Sequence, residues 1–437
     1  MISTKIQNGL KGSAKIPGDK SISHRAIIIP SISRGISEIS NLLKSEDVMH
    51  TINAFKNMGV EILENRENII INGKGLNSLK GPKSEIYLGN SGTSARLLTG
   101  LLSSQKFNSL ITGDKSLSSR PMMRIVNPLS NMNAKIETTN GCLPIKINGQ
   151  DLKSKDIEIK IPSAQIKSGV IFAALNTKGK TRIIENSVTR DHTEIMLESF
   201  GADITTYFEN NKKIIEIDGK KEFNSNKIDV PNDLSSSAFF IVASLINQNS
   251  KLKLSNININ PTRNGILIAL EKMNANISYS NKRKINNEEV CDIYVESSNL
   301  NGCELDSSIA KLMIDEYPIL SIAATFASSP SVFRGLKELR VKESDRLELI
   351  KTNLLKCGVK CEVRDDDLFI YPSSKYKINN EKITTNYDHR IAMAFAVLGS
   401  KIGPLNICDS ESIKTSFPTF VSEFDKIGGK IFWEKMY

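Results

Sequence analysis

Long apolar runs are missing from this 437-residue chain: the longest, "AIIIP" and "SAFFIVASLI", fall well short of a bilayer span. The first twenty residues, "MISTKIQNGLKGSAKIPGDK", hold no apolar core and no small-residue cleavage site, so no secretory signal is expected. Cysteine is scarce. The six (Cys142, Cys291, Cys303, Cys357, Cys361 and Cys408) include no C-x-x-C pair, and with four histidines no zinc ligand set can be assembled from local spacing. Reduced, mostly buried cysteines in a cytoplasmic protein are the economical expectation. Aromatic residues make up 6%, and no basic stripe is interleaved with them, as single-strand binders require.

What is present is ordinary for a globular protein: 39% hydrophobic and 24% charged residues. The length exceeds one compact core, so two or three domains are the default. The net charge of +10 admits nucleic acid, an anionic membrane surface or small polyanionic substrates. The positive charge is not gathered into a tail.

One segment recurs six times: a Ser or Thr, a helical apolar pattern, a turn residue, then a strand-like run. The turn positions are Gly59, Asn133, Gly201, Asn274, Gly358 and Gly428, spaced 68 to 84 residues apart. Gly and Asn suit the left-handed residue that ends a helix. Twelve to fourteen residues earlier stand Ser45, Ser119, Thr189, Thr262, Ser344 and Thr415, which the pattern predicts as N-caps. A second, earlier helix start recurs in segments such as "GNSGTSARLLTGLL" and "VPNDLSSSAFFIVASL". These helices are apolar nearly all round, which predicts burial. The later ones ("HTINAFKNM", "RLELIKTNLLKC") are amphipathic and should lie outside them.

Six units of mixed α/β structure predict two domains of three. Residues 19–228 hold repeats one to three; residues 1–18 plus 229–437 hold repeats four to six. "YSNKRKINNEEV" lengthens the fourth repeat and reads as an exposed hairpin tip.

Beside each predicted second cap sits a cation: Lys44, Arg120, Arg190, Arg263, Arg346 and Lys414. First-helix starts add Lys20, Arg25, Arg96 and Arg390. A helix N-terminus carries partial positive charge, so cations placed there repeatedly imply that something negative is expected. Presented to one cleft, they would form an anion trap. Lys44 and Arg263 have only local pairing to recommend them. Asp315, at the start of "MIDEYPILSIAA", could act as a helix-start acid or in catalysis; Glu343, between Lys342 and Arg346, has the mixed surroundings that tune acid–base groups.

Eight segments in order, "PGDKSISHRA", "GNSGTSARLL", "GDKSLSSRPM", "PSAQIKSG", "SVTRDHTE", "IDEYP", "VKESDR" and "DHRIAMA", resemble the motifs of the 5-enolpyruvylshikimate-3-phosphate (EPSP) synthases. The forms "SAQ" and "SVTRDHTE" are similar to the second bacterial class. The resemblance implies an enolpyruvyl transferase fold of six βαβαββ repeats, three per domain, with the active site in the interdomain cleft. It implies transfer of the carboxyvinyl group of phosphoenolpyruvate to the 5-hydroxyl of shikimate 3-phosphate, with release of phosphate and no metal or organic cofactor. A monomer that binds neither nucleic acid nor membrane is expected.

Carried over residue by residue, Lys20, Ser21, Arg25, Ser163, Ala164, Gln165, Arg190, Asp315 and Lys342 match acceptor-binding positions. Lys20, Gly92, Arg120, Gln165, Arg346, Arg390 and Lys414 match phosphoenolpyruvate contacts. Asp315 matches the acceptor of the hydroxyl proton, Glu343 the group exchanging a proton at the vinyl carbon, and Lys20 the group beside it. Ala164, Glu338 and Arg190 depart from the first-class pattern, which implies different individual contacts to the acceptor ring, and Ser187 is expected as an additional acceptor contact. Gly92 implies that glyphosate competes with phosphoenolpyruvate. The sister transferase acting on UDP-N-acetylglucosamine carries a reactive cysteine in a mobile loop; here the corresponding "TGDKSLSSRPM" has none. A six-repeat DNA clamp would need cations along its inner helix faces, whereas here they sit at helix ends.

Overall fold

The six turn residues adopt the left-handed conformation, with φ between 62° and 102°. Each ends a helix, so the periodic signal in the sequence and the chain reversal in space coincide. The computed structural model describes residues 1–65, 68–377 and 382–433.

Among the described residues, twelve of the fourteen α-helices alternate between the two kinds anticipated; the short helices Lys115–Ser118 and Ser307–Met313 stand outside that pattern. The first of each pair are α1 (Lys20–Ile32), α3 (Gly92–Ser103), α5 (Ala164–Leu175), α7 (Leu234–Ile246), α9 (Tyr317–Thr325) and α11 (His389–Ile402). The second are α2 (Glu46–Asn57), α4 (Met123–Asn131), α6 (His192–Ser199), α8 (Gly265–Lys272), α10 (Arg346–Lys356) and α12 (Phe420–Lys426). The first kind is buried along almost its whole length: every residue of α7 is inside. The second buries one face; α10 hides Leu347, Ile350 and Leu354 and exposes Glu348. Sequestering each such aliphatic side chain is worth about 1.5–3 kcal/mol.

Four-stranded sheets share one plan, seen in the third repeat: Asp156–Ile159 runs parallel to Gly179–Glu185, which pairs antiparallel with Lys212–Gly219, and Ile204–Glu209 closes the edge. In the first repeat the parallel edge strand comes from far along the chain, Ile228–Asp229 beside Arg34–Ser40. In the fourth it comes from the start of the chain, Lys11–Ser13 beside Lys251–Asn258. Ile2–Ser3 pairs with both Leu405–Asn406 and Ile431–Phe432.

The chain divides into two compact units, each with its own hydrophobic core. One comprises Met1–Pro17, Pro231–Arg283 and Glu289–Tyr437; the other comprises Gly18–Val230 and Lys284–Glu288. The hairpin Ile277–Ile285/Glu288–Glu296 therefore belongs to the first unit by its strands and to the second by its tip. That tip is not wholly exposed: Glu288 is buried.

The predicted second-helix caps need correction. Only Ser45 occupies the capping position, and its hydroxyl makes no capping bond. The caps of the other five are Met122, Asp191, Asn264, Asp345 and Thr419. The upstream hydroxyls serve the preceding turns instead: Ser119 Oγ donates to Ser116 O, and Thr189 Oγ1 to Glu185 Oε1, each within hydrogen-bond range. Side-chain capping is concentrated on the first helices, where Asp19, Ser91, Ser163, Asp233 and Asp388 accept backbone N–H groups.

Candidate active site

In the second unit a basic cluster forms at the starts of α1, α3, α5 and α6. Asp19 caps α1 through Ile22 N, and the next residue, Lys20, holds Asp47 of α2 at 2.5 Å. Five residues into the helix, Arg25 is enclosed. Its Nε donates to Thr193 Oγ1 (2.6 Å), Nη1 to the Ser21 carbonyl (2.8 Å) and Nη2 to Ser168 Oγ (2.7 Å). None of these acceptors is a carboxylate. Burial pushes the guanidinium down to about 10, and nearby Arg190 adds to that, while Glu194 and Glu288 resist it. A sequestered cation lacking a directly bonded counterion is a strong attractor for an anionic ligand.

Helices α3 and α5 touch backbone to backbone. A Cβ on Gly100 would collide with the Gly169 carbonyl, and one on Gly169 would lie 2.7 Å from the Arg96 carbonyl. This contact sets Arg96 Nη1 2.5 Å from Gln165 Oε1, while Gln165 Nε2 donates to Thr93 Oγ1 at 3.0 Å. Ser163 caps α5 and Ala164 is its first residue. Arg120 Nη2 reaches Asn90 Oδ1 and Ser116 Oγ, and Asn90 is held in turn by Asp114. Gly92, the first residue of α3, leaves room for these cations: a methyl there would lie 3.0 Å from the Nη1 atoms of both Arg96 and Arg120. Ser187 and Arg190 are half-buried just before α6.

Beneath the cations His24 ties three helices together. Its Nδ1 lies 2.9 Å from Thr51 Oγ1 and 3.1 Å from Ser94 Oγ. Burial, reinforced by Lys20 and Arg25, holds this imidazole well below its ordinary value of 6.5. The folded state therefore resists a proton that the unfolded chain accepts, so its stability falls as pH drops below about 6.5. Urea unfolding from pH 7 to 5 should show that loss, and His24→Gln should flatten the dependence; identical slopes would exclude His24 as its source.

In the first unit the cluster is of mixed sign. Helix α9 begins at Tyr317 with Glu316 as its cap, so Asp315 lies just outside and does not cap it. Its carboxylate instead meets Lys342 at 3.4 Å and Arg346 at 3.2 Å, both through Oδ1. Arg346 is fully buried and also binds Glu343 Oε2 (2.6 Å) and Asp388, the latter through Nε (2.8 Å) and Nη2 (3.3 Å). Burial opposes its charge, but Asp388, Glu343 and Asp315 more than compensate and raise it above the usual arginine value. Asp388 caps α11 as well, accepting from Arg390 N and from Ser344 Oγ, each at 2.9 Å. Ser344 thus supports a carboxylate, and Asp345 is the residue that caps α10, through Glu348 N.

Arg390 Nη1 donates to the Asp315 carbonyl at 3.1 Å and lies 3.6 Å from Glu316. Four carboxylates here meet three cations, so within this unit the cluster is of mixed sign. Lys414 is half exposed and pairs with Glu411; its 3-10 turn, Ser410–Thr415, packs on α11. Glu338 is half-buried on the 3-10 turn Lys337–Val341. Of the two cations expected to be structural, Arg263 forms a buried pair with Asp233 at 2.9 Å, and Lys44 is at the surface.

Asp388, Asp47, Asn90 and His24 were not singled out from sequence as site residues. An acid directly before the basic first residue of an inner helix, as in "GDK" and "YDHR", is the available signal for Asp19 and Asp388.

No helix among the described residues is long and apolar enough to cross a membrane. A family model for EPSP synthase (3-phosphoshikimate 1-carboxyvinyltransferase) matches residues 4–424. The 3-phosphoshikimate 1-carboxyvinyltransferase of Ruthia magnifica subsp. Calyptogena magnifica is 44% identical over 429 residues, 98% of each chain. That of Bacillus cereus (strain G9842) is 40% identical over 425 residues, 97% of this chain and 98% of its own. A solved EPSP synthase from Acinetobacter baumannii superposes with a TM-score of 0.85 at 40% identity, covering 98% of both chains. The enolpyruvyl transferase NikO from Streptomyces tendae shares the fold at a TM-score of 0.78 but only 14% identity, with 98% of this chain and 97% of that one covered. The chain belongs to the EPSP synthase family.

Proposed function

We propose that the two clusters serve one reaction, transfer of the carboxyvinyl group of phosphoenolpyruvate to the 5-hydroxyl of shikimate 3-phosphate. The observation that carries this reading is Arg346, one buried guanidinium bonded to both Asp315 and Glu343. It holds two carboxylates of different duty within one ion-pair network. A proton added to the methylene carbon of phosphoenolpyruvate makes the adjacent carbon electrophilic; the acceptor hydroxyl attacks it while Asp315 takes the hydroxyl proton. The carbon–oxygen bond to phosphate then breaks as Glu343, or Lys20, removes a methyl proton. One proton is added to carbon and one is lost, so the product is the enol ether plus phosphate.

Lys20, Ser21, Arg25, Ser163, Gln165, Arg190 and Lys342 are assigned to the acceptor, and Lys20, Gly92, Arg120, Gln165, Arg346, Arg390 and Lys414 to phosphoenolpyruvate. Fixed cations offset the repulsion between two polyanions. Three of the five N–H donors of Arg346 are already given to Asp388 and Asp315, and Glu343 Oε2 is ion-paired to Nη2 at 2.6 Å. A substrate anion that takes both Nη1 protons must displace Asp315, which stays paired to Lys342. The enzyme is assigned to the cytoplasm, in keeping with six free cysteines, and a monomer is expected.

A coupled phosphate-release assay tests the reading by offering phosphoenolpyruvate with either shikimate 3-phosphate or UDP-N-acetylglucosamine. Turnover with the first alone is expected; turnover with neither defeats it. Gly92→Ala should raise KM for phosphoenolpyruvate by roughly three- to tenfold, because the methyl displaces the tips of Arg96 and Arg120. Glyphosate is expected to compete with phosphoenolpyruvate in the parent enzyme and more weakly in this variant. Unchanged KM and inhibition in Gly92→Ala would mean that neither ligand approaches Gly92.

A further inference from the structure

The fourth repeat carries a hairpin whose two strands belong to one unit and whose tip, Lys284–Glu288, belongs to the other. Asn286 and Asn287 turn the chain with φ of 47° and 65°, the paired left-handed residues of a tight two-residue loop. Asn286 also fastens the tip. Its Oδ1 accepts from Asp229 N and its Nδ2 donates to the Lys227 carbonyl, both at 2.8 Å. The next residue but one, Glu288, is buried and accepts from His192 Nδ1 at 2.6 Å.

Burying a carboxylate costs free energy unless it is well paired, so a hairpin tip is an unexpected place to find one. Its surroundings supply a reason. His192 is the first residue of α6, Arg190 lies two residues before it, and Thr193 directly after it accepts from Arg25 Nε at 2.6 Å. The three hydrogen-bond acceptors of Arg25 are neutral, so compensation of its charge comes through space, in part from Glu288. Fixing His192 fixes the first turn of α6, and through Thr193 it fixes the guanidinium of Arg25.

We propose that the hairpin tip braces the acceptor-binding cluster, with Glu288 a positioning residue that acts through His192 and Thr193 on Arg25. The identity of the acceptor rests on the function proposed above; the brace itself does not. In sequence the polar insertion "YSNKRKINNEEV" reads as an exposed hairpin tip. Its adjacent acids Glu288 and Glu289 give no sign that one of them is buried.

Calorimetric titration of shikimate 3-phosphate into the full-length protein, beside steady-state kinetics for both substrates, tests the proposal. Glu288→Gln keeps the shape and removes the charge. It should raise Kd and KM for shikimate 3-phosphate by about tenfold, the scale of a charge-assisted bond made neutral, with kcat and KM for phosphoenolpyruvate within about twofold. Unchanged acceptor Kd, or equal losses for both substrates, overturns the brace. Should Glu288→Gln fail to fold, Asn286→Gly retains the turn while cutting both tethers, and an acceptor Kd no higher than that of the parent overturns the proposal equally. If the parent protein binds no shikimate 3-phosphate, the proposed function fails by itself. The brace is then decided by amide exchange in the first turn of α6, which must be faster in Glu288→Gln.

Discussion

Asp315→Asn is expected to lower kcat by at least about a hundredfold while leaving binding of both substrates largely intact. The asparagine keeps the size of the side chain and an oxygen for Lys342 and Arg346, which lie 3.4 and 3.2 Å from Asp315 Oδ1. What it removes is the carboxylate's capacity to accept a proton, the role proposed for Asp315. It also weakens one competitor for Arg346, so KM for phosphoenolpyruvate should stay level or fall. That combination separates a chemical role from a structural one, because a disrupted cluster would lose affinity together with rate. Glu343→Gln should behave likewise. Rapid-quench measurement of a single turnover, alongside equilibrium binding, checks both; an unchanged kcat in either variant removes that residue from the mechanism.

Arg346→Met should destabilise its unit by about 3–5 kcal/mol, the cost of removing one partner from a buried ion pair. Asp388 has no solvent exposure, and its Oδ2 accepts from Arg346 Nε at 2.8 Å. Without the guanidinium that carboxylate keeps, among the described residues, the Ser344 hydroxyl and backbone N–H groups at the start of α11 as hydrogen-bond donors. The melting transition of the unit should drop by roughly 6–20 °C on this scale. Adding Asp388→Asn in the Arg346→Met background should recover part of the loss, since the uncompensated charge is then gone. Calorimetry of the single and double variants decides: a double variant less stable than the single one would place the damage in packing and not in charge.

The repeat architecture was legible because its punctuation is steric. Only Gly and Asn tolerate the left-handed turn comfortably, and all six turn positions adopt it. Burial of the first helices followed from their composition for the same elementary reason. Hydroxyl residues carry no such constraint. Ser119, Thr189 and Thr415 fit a turn as readily as a cap, and the structure uses them in turns. The clusters were legible as residue types and not as partnerships. Counting Lys and Arg at helix starts identified Arg346, yet nothing local shows that Asp388, 42 positions downstream, neutralises part of that charge. His192 and Glu288 are 96 positions apart, and their pairing depends on where a hairpin tip lands. Long-range electrostatics is a property of the fold, so a pattern read along the chain cannot contain it.

The borrowed edge strands also impose an order in time. Residues 18–230, with the tip at 284–288, complete one unit while the ribosome still has about a third of the chain to add. Ile2 and Ser3 must wait for Leu405–Asn406 and Ile431–Phe432, which are made far later. At roughly 5–20 residues per second that delay is on the order of 20–80 s. In the last part of this interval, after residue 288 is made, Ile2–Ser3 is an unpaired strand on a nascent chain whose other unit can already close, the stage at which an extended-chain chaperone would have most to protect.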